Sequence, residues 1–436
     1  MEQNMFIRIL NSEMELATGC TEPGAVALTA AEAGQALRKA GVDKAEEITV
    51  NASINIIKNA MSAGIPGTDY EGMDYAAAIG ALGGDPVYLL EVMSHVPRET
   101  VEAAAALVKA GKVKVNVAQV PQKLYIEVIA KGGGHTGRAI VRDLHTNVVL
   151  VEQDGTATLD KQDADTAASG DSDVVTPEQI ASFLTVRSIW DYCTKELDPM
   201  HDPIDIIRSA VQVNSVISDE GLSKEYGLAI GRNLDLNCRK GLMTRDLTTN
   251  SMIAAAAGAD ARMAGAPVSV VANSGSGNQG ITCSVPLIEY AKELHSGKEK
   301  LYRALIISNL VAIHEKTGIG TLSAYCGAVS AGAGAGAGIV YLCGDGYQAA
   351  IHTVVNALAI VSGIVCDGAK ASCAAKIASS VDAALLGYNM YKCNQEFKGG
   401  DGIVMKDIET TIKGIGRLGK DGMRQTNEEI IRLMMS

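Results

Sequence analysis

The sequence contains few aromatic residues and no cluster of basic ones. Phenylalanine, tyrosine and tryptophan make up 4 % of its 436 residues, whereas hydrophobic residues as a whole make up 47 %. The hydrophobic content therefore comes mainly from small residues, with many glycines between them, and such runs favour closely packed helices. The net charge is −12. Because phosphate binding depends on clustered lysine and arginine, the charge argues against a nucleic-acid partner.

Long apolar runs and a secretory leader are also missing. The most apolar stretches, such as Val354–Val365, are shorter than the about 20 apolar residues that a transmembrane helix needs. The N-terminus, MEQNMFIRIL, lacks the charged and then apolar layout of a secretory signal, so we expect a soluble, cytoplasmic protein without a membrane partner. Its nine cysteines should then be buried apolar residues, metal ligands or catalytic thiols, not disulfides.

The pattern of apolar residues changes along the chain. Glu22–Lys39 and Arg98–Ala110 are predicted helices and Glu47–Ile57 is a predicted strand. Four further segments alternate apolar and polar residues as antiparallel strands do: Lys112–Gln119, Lys123–Ala130, Gly137–Leu144 and Asn147–Gln153. The polar stretch Asp154–Asp173 follows, and from Thr176, a predicted helix cap before a proline, the pattern is helical.

We therefore predict two domains. Residues 1–173 should form an α+β domain, and residues 174–436 should form a mostly all-α domain rich in glycine and alanine. The repeat Ala331–Gly338 alternates alanine and glycine, which predicts a central helix that is packed closely on all sides.

Three cysteines lie in two small-residue strings of the second domain. Cys326 lies in LSAYCGAVSAGAGAGAG, and Cys366 and Cys373 lie in IVCDGAKASCAAKIASS. Thiolates ligate iron–sulfur clusters. The Cys-x6-Cys spacing is not the Cys-x2-Cys run of ferredoxins or zinc sites, and a cysteine in an alanine-rich helix is often an inert core residue. From the spacing alone, both interpretations stay open.

Cys20 lies in ATGCTEPGAVAL, next to Thr21 and Glu22 and directly before a predicted helix. The partial positive charge of a helix N-terminus lowers the pKa of a thiol and favours the reactive thiolate. One interpretation is therefore a depressed pKa for Cys20 and a thiolate that could act as a catalytic base. The alternative is that Thr21 only caps the helix and Cys20 is a bystander.

Three glycine-containing segments offer polar groups to a ligand. The turn NSGSGNQG has free backbone amides that can cradle an anion, and because it fits no nucleotide-binding template, a carboxylate is the more economical ligand. Lys58 and Asn59 lie at a predicted strand end, and GGGHTG places His135 and Thr136 in a turn between two predicted strands. A flexible loop or plain surface solvation is the alternative for each segment.

As a set, these strings resemble the iron–sulfur L-cysteine desulfidases and their uncharacterised relatives, which are related to the α-chain of iron–sulfur L-serine dehydratases. The resemblance covers nearly the whole chain. It is carried by GCTEPGAVALTAAEAG, KNAMSAGIPGT, GGGHTG, NSGSGNQG, SAYCGAVSAGAGAG, CDGAKASCAAKIASS and IGRLGKDGMRQTNEEII.

The resemblance implies a 4Fe-4S cluster held by three cysteines, here Cys326, Cys366 and Cys373. There are two departures. The segment between the last two ligands is longer in the dehydratases and carries a proline pattern that is absent here. Some dehydratases also use a C-terminal cysteine as a resting ligand, whereas this chain ends in MMS. The fourth iron is then either open or held by another group, for which Cys20 is the candidate.

The resulting hypothesis is a lyase that converts L-cysteine to pyruvate, ammonia and hydrogen sulfide by α,β-elimination, acting as a homodimer. The candidate catalytic residues are Cys20, Glu22 and His135. The candidate residues for binding the small amino acid are Lys58, Asn59, Thr136, Asn273, Ser274, Ser276, Asn278 and Gln279. The rival hypotheses are an L-serine dehydratase with the same machinery and a non-catalytic sensor of a cluster or an amino acid.

Overall fold

The structure of the protein is a computed structural model in which residues 4–162, 175–320 and 322–434 are described. Its first region is α+β, as predicted. The helices of this region are α1 (Met5–Glu13), α2 (Thr21–Lys39), α3 (Ile54–Ala60), α4 (Met73–Gly83) and α5 (Arg98–Lys109). The strands are β1 (Met14–Thr18), β2 (Glu47–Ala52), β3 (Val113–Val117), β4 (Tyr125–Gly132), β5 (His135–Arg142), β6 (Val148–Gln153) and β7 (Thr156–Asp160).

Six of these strands form one sheet in the order β3-β2-β4-β5-β6-β7, and α2 packs against it. Neighbouring strands are antiparallel except β2 and β3, which pair in parallel because the chain returns through α4 and α5 before it enters β3. The predicted antiparallel pairing is therefore wrong for β3. The predicted strand Glu47–Ile57 is also too long, since it ends at Ala52 and the apolar residues after Ser53 form α3. A short apolar run does not distinguish strand from helix by itself.

The second region is mostly helical, as predicted. Its helices are α6 (Pro177–Phe183), α7 (Val186–Asp191), α8 (Asp205–Ser223), α9 (Ile230–Arg239), α10 (Leu247–Met263), α11 (Gly277–Glu293), α12 (Lys298–Ile319), α13 (Gly327–Leu342), α14 (Tyr347–Val361), α15 (Ser372–Lys392), α16 (Ile408–Arg417) and α17 (Arg424–Met434). One strand, β8 (Ser269–Asn273), interrupts them. Thr176 caps α6 in a reciprocal capping box with Gln179, which confirms the predicted helix start. The predicted boundary stretch, Asp154–Asp173, contains β7, and its residues from 163 onward lie outside the described part.

Helix α13 is the central helix that the alanine–glycine repeat predicted, and it packs against α11, α12, α14 and α15. A methyl group on Gly334 would lie 2.4 Å from the carbonyl oxygen of Ser308 on α12, and one on Gly332 would lie 2.7 Å from that of Ser380 on α15. Both distances are shorter than van der Waals contact. The glycines are therefore required for the close approach of the helix backbones.

The start of the chain connects the two regions. Phe6 of α1 packs in the core of the helical region and stacks on Tyr192 with ring centroids 4.3 Å apart. Strand β1 then pairs antiparallel with β8. This pairing places the start of α2 beside the loop that follows β8. Within the described residues, no helix is long and apolar enough to cross a membrane.

Candidate active site

Two of the predicted cysteine ligands are held together by their own backbones. Cys326 directly precedes α13, and its N–H donates to the carbonyl oxygen of Ile364 at 3.2 Å. In return, the N–H of Cys366 donates to the carbonyl oxygen of Ala324 at 2.7 Å. The two segments thus form a short antiparallel bridge. Because the bridge is made by main-chain atoms, it fixes the backbone positions of the two cysteines relative to each other.

The third predicted ligand, Cys373, lies in the first turn of α15, and its thiol contacts the carbonyl oxygen of Gly368 at 3.6 Å. Cys326, Cys366 and Cys373 line one cavity of about 110 Å³, and Cys20 lines the same cavity from the other region. The structure therefore brings together four thiols that are separated by up to several hundred residues in the sequence.

The chemistry of these side chains fits a cluster better than a single ion. Among the described residues, no three His, Cys, Asp or Glu side chains are close enough to hold one metal ion. A four-iron cluster requires its thiolates to stand farther apart, around a larger core. Burial, together with the nearby Cys366 and Cys373, raises the pKa of Cys326 to about 12. A positively charged iron–sulfur core at this position would stabilise the Cys326 thiolate, whose formation burial and the neighbouring thiols oppose.

Two buried lysines flank the cysteine segments. Lys58 of α3 donates from Nζ to Asn427 Oδ1 at 2.8 Å and to the carbonyl oxygen of Cys366 at 3.4 Å, and Lys316 of α12 lines the cavity. Burial lowers the pKa of both lysines, whereas the nearby Cys366 and Cys326 act in the opposite direction. Lys58 was predicted to bind the substrate, but its ammonium group faces the cysteine segment and does not line the cavity.

Cys20 and Glu22 form a hydrogen-bonded pair at the start of α2. The Cys20 thiol donates to Glu22 Oε2 at 3.2 Å, and Asn59 Nδ2 donates to Glu22 Oε1 at 2.8 Å. Burial and the adjacent Glu22 carboxylate raise the pKa of Cys20. The predicted depression of this pKa is therefore wrong, because both effects outweigh the helix N-terminus. In this structure the thiol is a proton donor.

His145 lies opposite Glu22 and was not predicted from the sequence. It comes from the turn between β5 and β6, is buried, and lines the cavity with Nε2 at 3.9 Å from Glu22 Oε1, which is too long for a hydrogen bond. Burial alone would lower the pKa of His145, but the Glu22 carboxylate outweighs burial and raises it. For Glu22, burial would raise the pKa, but His145, Asn59 and Cys20 together hold it well below the usual value.

Arg262 is the second residue that the sequence did not indicate. It lies near the end of α10, has only 2 % of its surface exposed, and lines the cavity. Its Nε and Nη2 atoms have no hydrogen-bond partner. A methyl group on Gly277 would lie 2.3 Å from Arg262 Nε, so the guanidinium group lies directly on the N-terminus of α11. Two sources of positive potential therefore meet at one point of the cavity.

The predicted ligand loop after β8 contributes four of its five predicted residues: Ser274, Ser276, Asn278 and Gln279 line the cavity. Asn278 Oδ1 and Gln279 Oε1 have no hydrogen-bond partner, and neither has Asn59 Oδ1, which belongs to α3 and also lines the cavity. Asn273 does not take part. Its side chain is fully buried and donates to Asn309 Oδ1 at 2.9 Å, so its role is to hold the loop.

His135 and Thr136 are not part of this cavity. They begin β5, after a two-residue turn, and line a separate depression beside Lys112 and Lys131. His135 Nδ1 contacts Asp154 Oδ2 at 2.8 Å, and both side chains are exposed. The glycines of GGGHTG therefore serve the tight hairpin, and the predicted catalytic and binding roles of these two residues are not supported by their positions.

Known proteins resemble the chain over nearly its whole length. The family described as serine dehydratase alpha chain matches residues 88–432. UPF0597 proteins from Oleidesulfovibrio alaskensis, Desulfitobacterium hafniense and Lachnoclostridium phytofermentans are each 42 % identical to it. These alignments cover 100, 99 and 99 % of this chain and 98, 96 and 99 % of the respective relatives. The family match includes the three predicted ligands, His145 and Arg262, and begins after α2 and α3.

Proposed function

The chain belongs to the serine dehydratase alpha-chain family, and from that membership we propose that it is an iron–sulfur-dependent lyase acting on a small L-amino acid. The first candidate substrate is L-cysteine, which would give pyruvate, ammonia and hydrogen sulfide. One observation carries the proposal. A single small cavity has thiols on one side and, on the other, a buried guanidinium group with several polar atoms that lack partners.

The residues that would hold a 4Fe-4S cluster are Cys326, Cys366 and Cys373. When bound, a cluster with three thiolate ligands supplies a Lewis-acidic iron that makes the β-substituent of the substrate a better leaving group. The fit rests on soft ligands, on the backbone bridge between two of the three segments, and on the lysines nearby.

The unpartnered groups match an amino-acid zwitterion. Arg262 Nε and Nη2, together with the amides at the start of α11, would bind the α-carboxylate, because a buried guanidinium group without a partner favours an anion. The α-ammonium group would donate hydrogen bonds to amide oxygens, which are acceptors only. The unpartnered ones are Asn59 Oδ1, Asn278 Oδ1 and Gln279 Oε1. The donors for the carboxylate and the acceptors for the ammonium group would together fix the orientation of the substrate.

His145 is the proposed base for the α-proton. The residue lines the cavity, and its Nε2 atom is buried and has no hydrogen-bond partner. In the neutral form it can accept a proton, and the Glu22 carboxylate at 3.9 Å would stabilise the imidazolium ion that forms. Cys20 and Asn59 keep Glu22 in place through their hydrogen bonds. After the elimination, the enamine product hydrolyses spontaneously to pyruvate and ammonia.

The choice of L-cysteine rests on the resemblance of the GCTEP string to the desulfidases and on chemistry, since thiolate is a softer iron ligand and a better leaving group than hydroxide. L-Serine is the second candidate, and the description of the matched family favours it. Both substrates carry the same carboxylate and ammonium groups, so the same residues would bind either one.

A steady-state assay separates the candidates. The protein is reconstituted with iron and sulfide under anaerobic conditions, and pyruvate formation is followed with L-cysteine and with L-serine. We expect a higher kcat/KM for L-cysteine. A preference for L-serine would assign the dehydratase reaction instead, and a cluster-loaded protein that forms pyruvate from neither substrate would overturn the proposed lyase activity.

A further inference from the structure

Two lysines lie in the protein interior without a carboxylate partner. Lys58 is 2 % exposed and Lys316 is 8 % exposed, and neither forms an ion pair with an Asp or Glu among the described residues. Lys376, which also lies near the cysteines, is by contrast paired with Asp367. Burying an ammonium group without a counterion costs several kcal/mol, so such groups normally lie next to an anion.

Both lysines face the segments that carry the predicted ligands. The Lys58 ammonium group contacts the backbone oxygen of Cys366, and Lys316 lines the cavity together with Cys326 and Cys366. The lysines come from different regions of the protein, Lys58 from α3 and Lys316 from α12. Each of the two regions therefore contributes one buried lysine near the cysteine segments.

The orientation of Lys58 is itself fixed by the end of the chain. Asn427 of α17 accepts from Lys58 Nζ at 2.8 Å, and its own amide donates to Asn55 Oδ1 at 2.9 Å. Asn427 belongs to the tail string RQTNEEII, for which the catalytic site offers no other role. This hydrogen-bond chain aims the ammonium group at the Cys366 segment.

We propose that Lys58 and Lys316 are the built-in counter-charges of an anionic iron–sulfur centre and that they raise its reduction potential. The inference rests on the proposed cluster. A four-iron core with three thiolate ligands carries net negative charge, and the charge grows on reduction. Two nearby positive charges at low effective dielectric therefore stabilise the reduced form more than the oxidised form. The role proposed for both lysines is electrostatic, through their charge on the cluster.

The test measures the reduction potential of the reconstituted cluster in the parent protein and in Lys58→Met and Lys316→Met. Methionine keeps the length of the side chain and removes its charge. We expect a more negative potential in each variant and a larger shift in the double variant. Lys316→Arg, which keeps the charge, should stay closer to the parent. Lys392→Met is the matched control, because Lys392 is exposed and paired with Asp345 at 3.0 Å.

Thermal unfolding of the metal-free variants shows whether a shift in reduction potential comes from the lost charge or from a damaged fold. Without the cluster, removing a buried ammonium group that has no carboxylate partner should leave the midpoint temperature of unfolding unchanged or raise it. Potentials that equal the parent value in both methionine variants, with the cluster intact, would overturn the inference and leave the proposed function standing. A parent protein that takes up no cluster at all would remove the proposed cofactor, and this inference with it.

Discussion

The two walls of the cavity are built in different ways. The thiol wall, formed by Cys326, Cys366 and Cys373, belongs to the helical region and is fixed by main-chain hydrogen bonds and helix starts. The polar wall consists of Cys20, Glu22, Asn59, His145 and Arg262, and here the side chains hold one another or have no partner. A wall fixed by backbone suits a rigid metal centre, whereas a wall with unused hydrogen-bonding capacity suits a ligand that arrives and leaves.

The largest effect should follow from breaking the thiol wall. Cys326→Ser and Cys366→Ser each remove one soft ligand, so we expect loss of the broad visible absorbance of the reconstituted protein and a fall in turnover of about 1,000-fold or more. Cys343→Ser is the matched control, because Cys343 is exposed beyond the end of α13. Full cluster retention in both ligand variants would remove the metal assignment.

Arg262→Met tests the strongest contact of the polar wall. The loss of a buried charge-assisted contact with the α-carboxylate should cost about 2 to 4 kcal/mol, or roughly 30- to 1,000-fold in kcat/KM. The cluster spectrum should not change, and the free protein should unfold at the same temperature or a higher one, since its guanidinium group has unpartnered atoms. A change in kcat/KM below twofold would show that the carboxylate binds elsewhere.

Glu22→Gln tests the coupling within the polar wall. His145 must be neutral to accept a proton, so activity is lost as the pH falls through its pKa, which Glu22 raises. Removing the carboxylate lowers that pKa. The acid limb of the kcat/KM profile should therefore move to lower pH, while the maximal rate falls by roughly 10- to 100-fold.

Glu32→Gln, on the same helix and away from His145, is the control for this profile. If the acid limb stays in place in Glu22→Gln, His145 is not the base whose titration sets the rate.

Cys20→Ala asks to which wall Cys20 belongs. As a hydrogen-bond donor to Glu22, Cys20 contributes to the polar wall, and its loss should lower turnover by about 10-fold with an unchanged cluster spectrum, while Cys20→Ser should lose less. As a resting fourth ligand it would belong to the thiol wall. Cys373 of that wall packs against the small apolar cluster that contains Cys20. In that case the alanine variant should show an altered cluster spectrum. Normal turnover and an unchanged spectrum would leave Cys20 without either role.

His135→Ala should have the smallest effect. The residue lies at the exposed hairpin, outside both walls, so we expect kcat/KM within about twofold of the parent. A large loss of activity at unchanged stability would mean that the hairpin reaches the substrate in a form of the protein that differs from this structure.

The sequence predicted the thiol wall better than the polar wall. The three candidate ligand cysteines lie in short strings whose helix starts are locally predictable, but their selection as ligands came from the resemblance to the dehydratases, because the spacing alone left both interpretations open. Arg262 and His145 are single polar residues in an alanine-rich helix and in a turn between strands, and no local pattern distinguishes them from solvated side chains. Their importance comes from burial without partners, which only the tertiary structure determines.

The same reason explains the predictions that were wrong. The pKa of Cys20 was predicted from the helix N-terminus alone, but Glu22, two residues away, and complete burial dominate it. Lys58 and Asn273 were predicted to face the ligand, and both turn toward protein groups that lie far away in the sequence. Helix starts such as Thr176 were predictable because capping is a local interaction.

The most direct test of the account is whether one ligand contacts both walls. L-Cysteine is titrated anaerobically into the cluster-loaded parent protein and into Arg262→Met, and the cluster spectrum is recorded at each concentration. We expect a saturable spectral change in the parent and the same change at a much higher concentration in the variant, because Arg262 would hold the carboxylate while the thiol reaches the cluster. A parent spectrum that does not respond to L-cysteine while pyruvate is formed would contradict it.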